Sequence, residues 1–106
     1  MIRAMDESEE LQLIQVTYET GPLKQQIAKE QEPTKIFCKE NSVSQSEWDA
    51  AARSGLKAEY RLTVSAFEYH GEEICEYKGK RYSIYRTYKV PNTEDLELYL
   101  GRKLGI

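Results

Sequence analysis

Residues 59–69, "EYRLTVSAFEY", put Tyr60, Leu62, Val64 and Ala66 on one face and Arg61, Thr63 and Ser65 on the other. That period of two is the mark of a strand with one buried side. Reading outward from it, the same chemistry recurs. His70-Gly71 marks a turn, "EICEY" (73–77) a short strand, Lys78-Gly79 a second turn and "KRYSIYRTYKV" (80–90) a long strand. Pro91-Asn92 then turns the chain into "DLELYL" (95–100), whose leucines at 96, 98 and 100 share a face. Upstream, "KIFCKENSV" (35–43) and "LQLIQVTY" (11–18) complete the set, the latter rich in Ile, Val, Thr and Tyr. Short strands joined by tight turns predict a mainly β domain: a small barrel or sandwich of about six strands.

One stretch breaks the pattern. "SVSQSEWDAAARSGLK" (42–57) carries helix punctuation and predicts one short α-helix inserted near residues 44–54. Ser44 is placed as N-cap with Glu47 three residues on, a capping box. Trp48, Ala51 and Ala52 form a narrow apolar face, and Gly55 is placed to end the helix in the left-handed conformation. Three turns are not stable alone in water, so the helix must pack on the sheet. The simplest arrangement buries Trp48 as a plug over one barrel mouth and leaves Gln45, Asp49 and Arg53 outward as a contact surface. A helix that only caps the core is the alternative.

Arg86 shares strand parity with Tyr82, Ile84 and Tyr88, a face that otherwise reads as apolar. A buried guanidinium there needs a carboxylate or backbone carbonyls. A bulge that reverses the parity would instead turn it outward.

At 106 residues the chain is one domain, and 31% charged with 40% hydrophobic residues is a globular composition. No apolar run approaches the roughly 20 residues that span a bilayer, so no membrane partner is expected. "MIRAMDESEE" is acidic and unlike a signal peptide; residues 1–10 read as a flexible lead-in, or as an arm that orders on a partner. Cys38 and Cys75 match no metal or redox spacing and read as reduced, buried thiols. The net charge of -3 argues against a protein that grips duplex DNA.

No catalytic, cofactor or metal set emerges. His70 reads as a solvated turn residue, and no phosphate-cradling or nucleophile motif occurs. Of eight tyrosines, all but Tyr18 lie from residue 60 onward. Tyrosines on strands can stack on bases or pack in cores and interfaces; the acidic balance favours packing.

The segment "ETGPLKQQIAKEQEPTK" (19–35) is long and polar, with Gly21-Pro22 near one end and Pro33 near the other. Residues 19–34 read as a long loop or as a hairpin arm that extends the first strand and returns. Its candidate contact residues are Gly21, Pro22, Lys24, Gln25, Gln26, Lys29 and Glu30.

The ordered series "SVSQSEW", "GLKAEY", "FEYHGEE", "YKGKRYSIYRTY" and "LELYL" resembles the head–tail joining (head-closure, or stopper) proteins of tailed bacteriophages and prophages. The resemblance covers about residues 11–100. It implies one connector domain over 1–106, a small barrel with one helix, and no enzyme activity. It further implies a ring below the portal and adaptor proteins that closes the DNA-filled head and docks a tail completion or terminator protein. Neighbouring copies would be its first partners, and DNA would pass through the channel without tight binding. The place of action would be the virion head–tail junction, reached from the host cytoplasm during assembly. On this view the helix is both lid and contact element, and 19–34 orders on assembly to line or close the channel or to clasp the next subunit. The isolated chain is expected to be mostly monomeric. The competing expectation is a small single-stranded nucleic-acid-binding barrel.

Overall fold

The computed structural model describes residues 8–104. In chain order the elements are β1 (Ser8–Ile14), β2 (Val16–Thr20), β3 (Gln26–Glu30), β4 (Thr34–Asn41), α1 (Gln45–Arg53), β5 (Leu56–Ser65), a 3-10 turn (Ala66–Glu68), β6 (Ile74–Tyr77), β7 (Lys80–Lys89) and β8 (Asp95–Lys103). Six strands close into a barrel in the order β1-β4-β5-β8-β7-β6, every neighbouring pair antiparallel. Pairing of Leu11–Ile14 with Ile74–Tyr77 closes it. Closure leaves no unpaired edge within this sheet.

The alternation read along residues 59–69 is realised at its centre. Leu62 and Val64 are buried, joined by Leu11 and Leu13 of β1, Ile36 and Cys38 of β4, Cys75 and Tyr77 of β6, Tyr82 and Ile84 of β7, and Leu98 and Leu100 of β8. A six-stranded barrel is narrow, so these side chains fill it. Burial pushes both thiols, Cys38 and Cys75, up to about 12. They sit in the barrel interior as free, buried cysteines.

Lys78 and Gly79 both have positive φ, 52° and 78°, as the two-residue turn between β6 and β7 requires. Of the flexible lead-in expected over 1–10, residues 1–7 lie outside the described residues, whereas Ser8–Glu10 begin β1 and pair with Phe37–Lys39. The expected strand 11–18 is divided at Gln15: β1 stays in the barrel and β2 leaves it. Among the described residues no helix is long and apolar enough to cross a membrane.

Trp48 does not plug a mouth; its side chain is 48% exposed. One end of the barrel is instead filled by Tyr60, Tyr77 and Tyr82. Tyr60 meets Tyr77 at 4.9 Å and Tyr82 at 5.6 Å, both edge to face. Lys78 lies over the Tyr60 and Tyr77 rings and bonds Glu40 at 3.0 Å, while the Tyr77 hydroxyl donates to Glu40 at 2.7 Å. Partial burial raises the Glu40 carboxyl, but these two donors outweigh it and leave its pKa lowered.

Candidate assembly surfaces

Two features stand outside the barrel, and the residues singled out in the sequence fall on one or the other. The first is the helix. Ser44 is its N-cap, accepting from the Glu47 amide at 3.2 Å, and Ser54 and Gly55 close it by donating to Ala51 and Ala52. Gly55 has φ of +79°, the left-handed conformation expected of it. The capping box, however, is not reciprocal. Glu47 turns toward the barrel, where it accepts from the Tyr85 hydroxyl at 2.8 Å and from Arg86 at 2.5 Å. That fixes the rotation of α1. Glu47 and Ala51, one turn apart, face the sheet, and Trp48 and Ala52 are turned outward.

The platform under α1 is the outer surface of β5, β8 and β7. A bulge between Ile84 and Arg86 adds Tyr85 to β7, so that Arg86 pairs with Tyr99 and Thr87 with Leu98. The parity reversal places Arg86 outside the barrel rather than on the Tyr82–Ile84 face. Its guanidinium lies 4.0 Å over the Tyr99 ring and its charge meets Glu47. The hydrogen bond that Arg86 donates to Glu47 raises the Arg86 pKa further, and burial first, then its own bond to Glu47, raises that of Tyr85. Tyr85 crosses Gly101: a Cβ there would stand 2.8 Å from the Lys57 carbonyl and 3.0 Å from the ring. Between helix and platform runs a groove of ≈ 560 Å³ lined by Glu47, Ala50, Ala51, Ser54, Leu56, Tyr85 and Arg86. On the far side of α1, Gln45 donates to Asp49 at 3.1 Å, and Arg53 is exposed with them.

The second feature is an arm. Residues 19–34 do not form a loop; β2 and β3 pair as a hairpin from Val16↔Glu30 to Thr20↔Gln26, separate from the barrel sheet. Gly21 and Gln25 close the turn, the Gly21 amide donating to Gln25 at 2.7 Å and the Lys24 amide to Gly21 at 2.9 Å. Lys24 itself has φ of 65°. Pro22, Gln26 and every other residue of β3 are exposed. So are Tyr18 at 63% and Leu23 at 85%. Lys29 pairs with Glu19 at 3.5 Å across the two strands. Glu30 grips Arg81 of β7 through both oxygens, at 2.5 and 3.0 Å. That hydrogen bond holds the Glu30 carboxyl below the usual carboxylate range.

The expectation of a segment fixed only on assembly is therefore revised: its backbone pairs within one copy. Among the described residues, the outer edges of β2 and β3 carry no strand partner. Nothing in the sequence pattern marks Trp48, Tyr18, Leu23 and Ile27 as the exposed residues they are. A signal existed for the platform, because "LYLG" at 98–101 is apolar on both strand parities. Among the described residues no three His, Cys, Asp or Glu side chains gather as a metal site. In comparisons with known proteins, no family model and no curated sequence matches the chain.

Proposed function

We propose that this chain is a structural subunit of a tailed-bacteriophage head–tail connector, forming a ring below the portal and adaptor that closes the filled head and receives the tail. The observation that carries this reading is the arm. A two-stranded hairpin is marginal in water by itself, and this one exposes Tyr18, Leu23 and Ile27 and, among the described residues, leaves both outer edges open. Such a projection fits a chain whose arm is covered by a neighbour in an assembly. The ordered sequence resemblance over residues 11–100 supplies which assembly.

The tyrosines weigh against single-stranded nucleic-acid binding as the main task. Tyr60, Tyr77 and Tyr82 pack their rings against one another inside the barrel, leaving those faces unavailable for bases. Salt-sensitive binding of a labelled oligonucleotide would favour that second reading.

The test replaces Tyr18–Ala28 with a two-residue Asn-Gly turn between Thr17 and Lys29, in a prophage that carries the gene. The isolated domain keeps its denaturation midpoint, because the arm contributes no residue to the core. Particles lose packaged DNA or fail to acquire tails. Full infectivity with the shortened arm would reject the proposal.

A further inference from the structure

The arm is not packed onto the barrel. None of its residues from Thr17 to Glu30 is buried, and β3 is exposed on both faces. Packing therefore does not fix the direction in which the hairpin projects. Its backbone leaves the barrel twice, at Gln15 and over residues 31–33. At this root the Gln31 amide donates to the Gln15 carbonyl at 2.8 Å, and the Gln31 side chain donates to Thr17 at 2.9 Å. These bonds lengthen the hairpin by one rung and tie it to no barrel strand. A ribbon that joins its support through two short single-chain crossings has the construction of a hinge.

One pair spans that hinge. Glu30 is on the first rung of the arm, opposite Val16, and Arg81 is on β7 beside the core residue Tyr82. Both terminal guanidinium nitrogens reach the carboxylate, at 2.5 and 3.0 Å, so the contact fixes an orientation as well as a distance. Among the described residues no other hydrogen bond or ion pair joins a side chain of β2 or β3 to the barrel. Of the neighbouring charges, Glu76 of β6 stands 4.0 Å from Arg81, and Lys29 is engaged by Glu19 within the arm. A small rotation at the first rung is magnified along strands that run about 16 Å at roughly 3.3 Å per residue.

We infer that Glu30 and Arg81 form a latch that sets the direction of the arm, with Arg81 as a positioning residue for the hairpin. Both side chains are about half in solvent, so the latch is weak and releasable. Salt, or a charged group presented by a partner, competes for either half of it. The inference stands apart from the connector reading, which concerns what the arm meets and not how it is aimed.

The test measures the direction of the arm in the full, dilute chain. Thr20, at the far end of β2, and Asp49, on the outer side of α1, are exposed and outside the latch. Thr20→Cys and Asp49→Cys carry one spin label each, while Cys38 and Cys75 are buried and stay unlabelled. Pulsed dipolar spectroscopy then gives one dominant label-to-label distance. Glu30→Gln or Arg81→Gln lowers the ratio of that distance to all others about five-fold, the upper end of what an exposed ion pair holds. Salt at about 1 M does the same to the parent and changes neither variant, because charges then act only within about 3 Å. Glu76→Gln removes a neighbouring charge but not the latch, and leaves the dominant distance in place. Equal distributions in the parent and in Arg81→Gln overturn the latch, as does a Glu76→Gln distribution as broad as that of Glu30→Gln. Neither Glu30 nor Arg81 belongs to the core, so the variants keep the parent's unfolding midpoint. Broadening that appears only where the barrel itself melts early overturns the latch too.

Discussion

Leu11 and Tyr18 belong to one continuous strand-like stretch, yet Leu11 is fully buried and Tyr18 stands 63% in solvent. The residue types do not explain the contrast; the partners do. β1 has a strand on each side and an interior to face, whereas β2 has one neighbour and no interior. Strand propensity therefore formed both elements, and only closure of the barrel turned one of them into core. The buried core cluster lies in the barrel, and the arm contributes no residue to it.

The contrast is broken most directly by truncating one leucine in each region. Leu98→Ala, in the barrel centre, lowers unfolding free energy by about 2–5 kcal/mol. Leu23→Ala, at the arm tip, stays within about 0.5 kcal/mol of the parent. Urea denaturation of both variants measures the difference, and similar losses would mean that the arm is part of the cooperative unit.

A smaller effect is expected where the outer helix meets the barrel. Gly101→Val places side-chain atoms where the Lys57 carbonyl and Tyr85 ring now stand. Displacing that ring also disturbs its bond to Glu47, and the cost is about 1–3 kcal/mol. An unchanged midpoint would show that Tyr85 relocates freely. Trp48→Ala costs less than about 0.5 kcal/mol, since the ring is half in solvent. The indole of the parent emits at a wavelength near that of free tryptophan. A blue-shifted emission would restore the buried plug.

The smallest effect separates the regions by pH. Glu30 has its pKa lowered by Arg81, so this tie is in place above the usual carboxylate range and is lost as pH falls through the lowered value. Both partners are exposed, so global stability barely moves and salt weakens the tie as acid does. Amide exchange reads it: protection at the arm base, including the Gln31 amide that donates to Gln15, falls on acidification before that of the barrel strands. Simultaneous loss in both regions would erase the distinction.

Much of this is legible in the sequence, and what is missing from it shares a cause. The turns at 70–71, 78–79 and 91–92 and the inward set Leu62, Val64, Leu98 and Leu100 follow from local chemistry and period. The break at Gln15 leaves no local mark, because Val16, Thr17 and Tyr18 of β2 favour a strand as Leu11–Ile14 of β1 do. Trp48 misleads because burial falls by default to the largest apolar residue of a helix. Its rotation is decided instead by Glu47, which has tertiary donors on β7 that no helical pattern contains. The bulge at Tyr85 likewise appears only when β7 is laid against β8. The arm's candidate residues fall on a real element, the β2–β3 hairpin, and the role proposed for them concerns a neighbour, which no local sequence pattern contains.

The tyrosine cluster at the barrel end sets an alkaline limit for the fold. Burial first, and then the Glu40 bond, raises the Tyr77 phenol, and burial also raises Tyr82. Groups whose pKa is raised on folding contribute their full stabilisation below the unfolded value, about 10 for a phenol, and lose it as pH climbs through the folded value. These two phenols therefore ionise as the barrel opens, in one step, rather than one by one on an intact surface. Followed by tyrosinate absorbance, their ionisation arrives abruptly and together with the loss of β-sheet. Above that point closing the barrel again is coupled to the return of protons to these phenols.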